Sequence, residues 1–183
     1  SASNAQLVLV FGERMCLEKV QPYEYLRSLY PIADIVINST SGEIYGDSVH
    51  SGTIISTAIE FEKTQVRTTK VDIENHFQSA EAGEKIAENL QREDLKAILI
   101  ISDGGRVNGS ELIAALNLKT DNKISISGGL AGDEARFEKT LVGLNDNPKE
   151  GKIVGIGLYG DALKVGHGSM GGWDVFGPER EVT

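Results

Sequence analysis

The chain has 183 residues, of which 40% are hydrophobic and 25% charged, the length and balance of one ordinary globular domain with a real core. Its formal net charge is -9, and with no Lys/Arg cluster it is a poor match for a phosphate backbone, which disfavours nucleic acid as a partner. No apolar run approaches the roughly 20 residues of a membrane span.

Cys16 is the only cysteine, so no internal disulfide forms, and a reducing, cytoplasmic setting is expected. No secretory signal precedes it. Ser3-Asn4-Ala5 resembles an expression scar, so residues 1–5 are set aside. Residues 6–183 read as a single domain, without internal repeat or linker.

Leu7 to Phe11 is a short apolar strand. Pro22 suits a first helical position, Tyr25, Leu26, Leu29 and Tyr30 follow at helical spacing, and Pro31 ends the run. Asp34 to Ile37 reads as a second buried strand that runs into the turn-forming stretch Asn38 to Gly42. Thr53 to Phe61 and Thr64 to Ile73, rich in β-branched residues, suggest a pair of strands. Ser79 to Leu90 is a helix with Ala82, Ile86 and Leu90 on one stripe. Ser79 is placed to cap it, and Glu81 suits the positive end of its dipole.

Leu95 to Ile101 is a fully buried strand. Asn108, with Glu111 three residues on, resembles a capping box before a helix over 109–117, and Ile124 to Ser127 is the next strand. These make a βαβ unit. Phe137 to Leu144, Ile153 to Tyr159 and Leu163 to His167 then read as consecutive strands. The expected fold is α/β, a mixed β-sheet layered with helices, in which the βαβ unit is followed by a C-terminal antiparallel β-meander.

Three strands end in polar, glycine-bearing loops: 38–42, 102–105 and 128–133. Ligands of open α/β sheets lie outside the carboxyl ends of the strands, so the three loops are expected on one edge around a small polar ligand. The candidate binding residues are Ser39, Thr40, Gly42, Ser102, Asp103, Gly128, Gly129, Gly132 and Asp133. Backbone N–H groups and hydroxyls suit a carboxylate, and Asp103 or Asp133 suits an ammonium group. The same residue types are also the ordinary vocabulary of turns.

Catalytic motifs are scarce. Gly128 to Gly132 is no P-loop, because no Gly-Lys-Ser/Thr follows. Neither G-x-S-x-G nor H-E-x-x-H occurs. His50, His76 and His167 are far apart, and Cys16 reads as a small hydrophobe.

Three motifs occur in order: Ser39-Thr40-Ser41-Gly42-Glu43-Ile44, Gly128-Gly129-Leu130-Ala131-Gly132-Asp133, and Gly171-Gly172-Trp173 followed by Phe176-Gly177-Pro178. Together they resemble the N-terminal half of the FIST domain family, named for F-box and intracellular signal transduction. The likeness covers nearly the whole chain from residue 6 to Glu181-Val182-Thr183. It implies a sensory domain of intracellular signalling that binds a small polar metabolite, amino-acid-like in kind, and acts on a partner protein or effector domain. It implies no enzyme, no cofactor, no metal and no membrane insertion. Some members of the family bind haem, which makes a haem-based gas sensor, with His167 or His50 as ligand and His76 less favoured, one alternative. The other is an unrecognised enzyme that uses Asp103 and Asp133 near Ser39 or Thr40, although no base is apparent to activate either hydroxyl.

Overall fold

A computed structural model describes residues 4–166 and Gly168. The element order is β1 (Leu7–Gly12), α1 (Arg14–Val20), α2 (Tyr23–Leu29), β2 (Asp34–Ser39), β3 (Glu43–Tyr45), β4 (Ser48–His50), β5 (Ile54–Ile59), β6 (Gln65–Asp72), α3 (Ser79–Leu90), β7 (Leu95–Ser102), α4 (Gly109–Lys119), β8 (Ser125–Leu130), β9 (Val142–Leu144) and β10 (Lys152–Tyr159). The fold is mixed α/β.

The strands form two four-stranded mixed sheets and a small hairpin. Among the described residues the first sheet has the order β5-β1-β2-β9, the second β6-β10-β7-β8, and β3 pairs with β4. β1 and β2 are parallel, as are β7 and β8, while β5, β9, β6 and β10 pair antiparallel to their neighbours.

Period-two alternation sorts the apolar residues into three cores, because successive strand side chains point to opposite faces. Leu7 and Val36 face the inter-sheet core, where they meet Ile101, Val142, Val154 and Ile156 of the other layers and edges. Val8, Val10, Ile35 and Ile37 point the other way, against Leu17 of α1 and Leu26 of α2. Ile98, Ile100 and Ile153 pack under Ile86 and Leu90 of α3 and Leu112 and Leu116 of α4. The result is four layers: α1/α2, first sheet, second sheet, α3/α4. Each fully buried Val, Leu or Ile contributes about 1.5–3 kcal/mol.

The βαβ unit β7-α4-β8 forms as expected, and α3 spans the predicted residues. Asn108 caps α4, its side chain accepting from Ser110 N and Glu111 N. Ser79 does a different job from capping. Its Oγ donates to His76 O at 2.7 Å and accepts from Asn108 N at 2.9 Å, tying the start of α3 to the cap of α4.

The C-terminal meander does not form. β9 is three residues at the edge of the first sheet, whereas β10 lies inside the second, between β6 and β7. Residues 133–141 are loop rather than the start of a strand, and Leu163–Gly166 carry no strand. His167, the last residue of that expected strand, lies outside the described residues. The reason is burial. β10 is apolar on both faces and fits only between two layers, while Phe137 is almost wholly exposed and gains nothing from pairing there. β5 and β6 likewise form, but in different sheets. The short helix α1 had no clear periodic signal in the sequence.

Gly83 sets the contact between α3 and α4. A Cβ there would come within 2.6 Å of Leu112 O, a backbone atom that cannot swing aside. Helix propensity favours Ala over Gly by about 1 kcal/mol, but the clash acts in the opposite direction with about 1–3 kcal/mol. Gly83→Ala is therefore expected to lower the urea midpoint with an unchanged m-value. A raised midpoint would show that α3 can slide away from α4.

Candidate functional site

The three glycine-bearing loops meet, although their strands belong to different sheets. β2 ends the first sheet at this edge, and β7 and β8 end the second. Ala131 N donates to Ser102 O at 2.7 Å, and Gly132 N donates to Ser39 O at 3.0 Å. Stacking the sheets with their carboxyl ends together brings 38–42, 102–105 and 128–133 to one place.

Two glycines permit this approach. A Cβ on Gly104 would collide with Ala131 O, and one on Gly132 would collide with Ser41 Oγ and Ser41 N. The loop after β8 is pinned further: Glu134 N donates to Ser41 Oγ at 3.0 Å, Gly104 N to Thr140 Oγ1 at 2.8 Å, and Leu141 N to the buried Ser39 Oγ at 2.9 Å.

Both aspartates are engaged by the protein itself. Asp103 is buried, and its Oδ1 accepts from Gly105 N and Arg106 N while its Oδ2 accepts from Gly151 N. Asp133 is buried against Arg14, whose Nε donates to Oδ1 at 2.7 Å; its Oδ2 accepts from Glu138 N and Lys139 N. Burial raises the Asp133 pKa, but the Arg14 guanidinium and the two backbone N–H groups outweigh it and hold the carboxyl below its ordinary range.

Arg14 is the centre of a charged cluster that sequence reasoning missed. Its Nη2 donates to Glu138 Oε2 at 2.6 Å and its Nη1 to Glu18 Oε2 at 3.3 Å. Glu18 also meets Lys139 Nζ at 2.5 Å, and Arg136 bridges Glu13 and Glu134. Burial pushes the Glu13 carboxyl up, and the N–H groups of Cys16 and Met15 with Arg136 bring it below its usual value. Arg14 and Asp133 are 119 positions apart, so no local spacing could have signalled the pair.

Thr40 has a carboxylate on its hydroxyl after all. Thr40 Oγ1 donates to Glu43 Oε1 at 2.7 Å, and Thr53 Oγ1 donates to Glu43 Oε2 at 2.8 Å. Glu43 is buried and thereby staples the 40–43 turn to the entrance of β5. Gly42, at φ +158, makes extended backbone in that turn. Gly128 and Gly129 lie in β8 itself rather than in a loop.

A cleft of about 250 Å³ opens where the loops meet. Ser41, Gly104, Gly105, Gly132, Phe137 and Thr140 line it. Over its rim run Glu134 and Phe137, both in the left-handed region at φ +51 and +53. That conformation is costly for a bulky side chain and persists only where its surroundings fix it.

This chain, its glycine loops closing one edge of a two-sheet sandwich, matches the FIST N domain family over residues 6–183. It belongs to the FIST N domain family. Among curated proteins, none gives a significant match to the chain. FIST N domains are predicted sensory domains of signalling proteins, generally without catalytic activity, that associate with signalling domains.

Of the remaining candidates, those among the described residues lie elsewhere in this FIST N domain. His50 is on the exposed β4, and His76 is exposed beside Phe77 ahead of α3. His167 and the Gly171-to-Pro178 motif lie outside the described residues. The Cys16 thiol, half-buried, donates to Gly52 O at 3.3 Å; burial and the neighbouring Glu13 and Glu43 raise its pKa. No helix among the described residues is long and apolar enough to cross a membrane.

The Arg14–Asp133 pair makes stability depend on pH. Because the folded-state pKa of Asp133 is depressed, its contribution is present above the ordinary value of 3.8 and is lost as pH falls through the folded value. Asp133→Asn leaves the Arg14 charge buried with one partner fewer, and is expected to cost about 3 kcal/mol at pH 7. Urea titrations should show the gap between wild type and variant narrowing below pH 4. A gap independent of pH would mean that the loss is one of packing, not of charge.

Proposed function

We propose that this FIST N domain binds a small polar metabolite in the cleft between the three loops and passes the signal to a partner protein or effector domain. The observation that carries the reading is the cleft itself: loops from both sheets are drawn together by Gly104 and Gly132 at van der Waals limits, leaving room for a small molecule beside hydroxyls and backbone. Such a site is concave, mostly preformed and furnished with a few polar groups, as small-ligand sites are.

In this reading the residues divide by role. Ser41, Thr140 and the backbone of Gly104, Gly105 and Gly132 face the ligand, and Phe137 covers it. Ser39, Thr40, Gly42 and Ser102 shape the loops. Asp103 and Asp133 position them, since their oxygens are already occupied by backbone N–H groups and Arg14. Gly128 and Gly129, inside β8, line the separate cleft between β8 and α4 instead. The N–H groups of Gly104, Gly105 and Gly132 already donate to Thr140 Oγ1, Asp103 Oδ1 and Ser39 O, so the carboxylate of an amino-acid-like ligand is met by the hydroxyl protons of Ser41 and Thr140, whose oxygens accept from Glu134 N and Gly104 N, rather than by an ammonium–Asp pair at the other end. A domain cytoplasmic in setting, acting without cofactor, is consistent with this chemistry.

The test is a thermal-shift screen of amino acids and related metabolites. A ligand at 100 times its Kd adds about 2.7 kcal/mol, a rise in Tm of roughly 5–10 °C for a domain of this size. Gly105 can accept a side chain without backbone collision, its nearest neighbour to a Cβ being Asp103 Oδ1 at 3.6 Å. Gly105→Val should therefore fold, block the cleft and abolish the shift. A shift that survives in Gly105→Val places the ligand elsewhere, and a screen without any hit on the full-length protein retires the metabolite reading.

A further inference from the structure

The charged groups around the three-loop cleft are already engaged, and its apolar groups are not. Four of the lining residues are charged, and each has a partner within the chain. Asp133 and Glu138 are bonded to Arg14, Glu134 to Arg136, and Lys139 to Glu18. A ligand cation brought to Glu134 or Glu138 therefore also meets a guanidinium on the same carboxylate. A second carboxylate on the ligand meets those two glutamates, with no unpaired cation among the lining residues to offset them.

The apolar lining is open. Phe137 is 91% exposed and Leu130, at the end of β8, is 52% exposed, and both border the cleft. Phe137 belongs to none of the three cores. Its place in the chain is nevertheless fixed. Arg136 N donates to Asp133 O at 3.1 Å and Glu138 N to Asp133 Oδ2 at 3.2 Å, so the backbone is held on both sides of it. That hold keeps Phe137 at φ +53, a costly conformation for a bulky side chain. A strained residue that adds nothing to a core and borders a cleft points to a role in that cleft.

We propose, resting on the metabolite reading of this cleft, that it selects an amino-acid-like carboxylate with an uncharged, apolar side chain, branched or aromatic, and that Phe137 and Leu130 determine this specificity. The ligand's carboxylate takes the hydroxyl protons of Ser41 and Thr140. Its side chain lies between Leu130 and the Phe137 ring, and all three surfaces leave water together. Side chains with a charge gain no such burial and find no unpaired counter-charge. Size narrows the class further. At about 250 Å³ the cleft is below the roughly 300–1,000 Å³ of sites for drug-sized ligands, which suits one small molecule of this kind rather than a nucleotide or a peptide.

Calorimetric titration of the full chain with leucine, phenylalanine, alanine, glutamate and lysine tests the proposal. Leucine or phenylalanine is expected to bind about tenfold or more tighter than alanine, a ratio that added methylenes in an apolar pocket supply, and tighter than glutamate or lysine. Phe137 is exposed, so Phe137→Ala should fold. It should remove most of that advantage while leaving alanine binding nearly unchanged, and Phe137→Leu should restore much of it. A merely structural role of Phe137 would weaken every ligand alike, and that result overturns the proposal. Tighter binding of glutamate or lysine that is lost in Gly105→Val also overturns it, yet leaves the metabolite reading standing. If none of the five binds, the apolar class is wrong, and the wider thermal-shift screen decides the metabolite reading by itself.

Discussion

The N–H groups of Ala131 and Gly132 are neighbours along the chain and bond to different sheets, one to Ser102 O at the end of β7 and the other to Ser39 O at the end of β2. This two-residue bridge fixes how the sheets stack at the edge where the candidate site lies. Both bonds lie among buried or half-buried residues, so neither can be exchanged for water without separating the layers. The requirement for small residues follows from it. Gly104 and Gly132 sit where any side chain would meet backbone or Ser41, and so the glycine content of these loops reflects close approach as much as turning.

The buried charges make sense against that bridge. The loop leaving Gly132 must return to β9 across the top of α1, and residues 133–141 have little apolar side chain to hold them. Arg14 supplies the hold: its guanidinium binds Asp133 and Glu138 from the loop, and Glu18 from its own helix. A guanidinium presents several donors in a fixed fork, which suits it to organise more than one carboxylate. Asp103 does the equivalent for the 103–106 turn by collecting three backbone N–H groups. The carboxylates that look like ligand groups in the sequence are, in the folded chain, the groups that shape the cleft.

Much of the fold was legible in the sequence because local pattern determines it. The β7-α4-β8 unit, the span of α3 and the strands β1 and β2 follow from runs of apolar residues at period two or 3.6 and from the caps around them. The C-terminal meander was misread because sequence order suggests that neighbouring strands pair, whereas β9 and β10 are drawn to different sheets by burial: β10 is apolar on both faces and belongs between two layers. α1 was missed because seven residues with a single deeply buried leucine give too short a pattern.

By itself, the sequence determined that this is one acidic α/β domain, with glycine-bearing loops at three strand ends and motifs of the FIST N family. It could also place Ser39, Ser102 and Gly132 at those ends, since strand termini are local features. Tertiary structure alone decided that the three ends belong to two stacked sheets, that Asp133 answers to Arg14 across 119 positions, and that Thr40 answers to Glu43 rather than to solvent. For Arg14 and Asp133 the distance in the chain carries no information about the distance in space, and Thr40 and Glu43, though only three residues apart, meet because Glu43 is buried against Thr53 as well. A carboxylate's role depends on which partner reaches it first, and only the folded packing settles that.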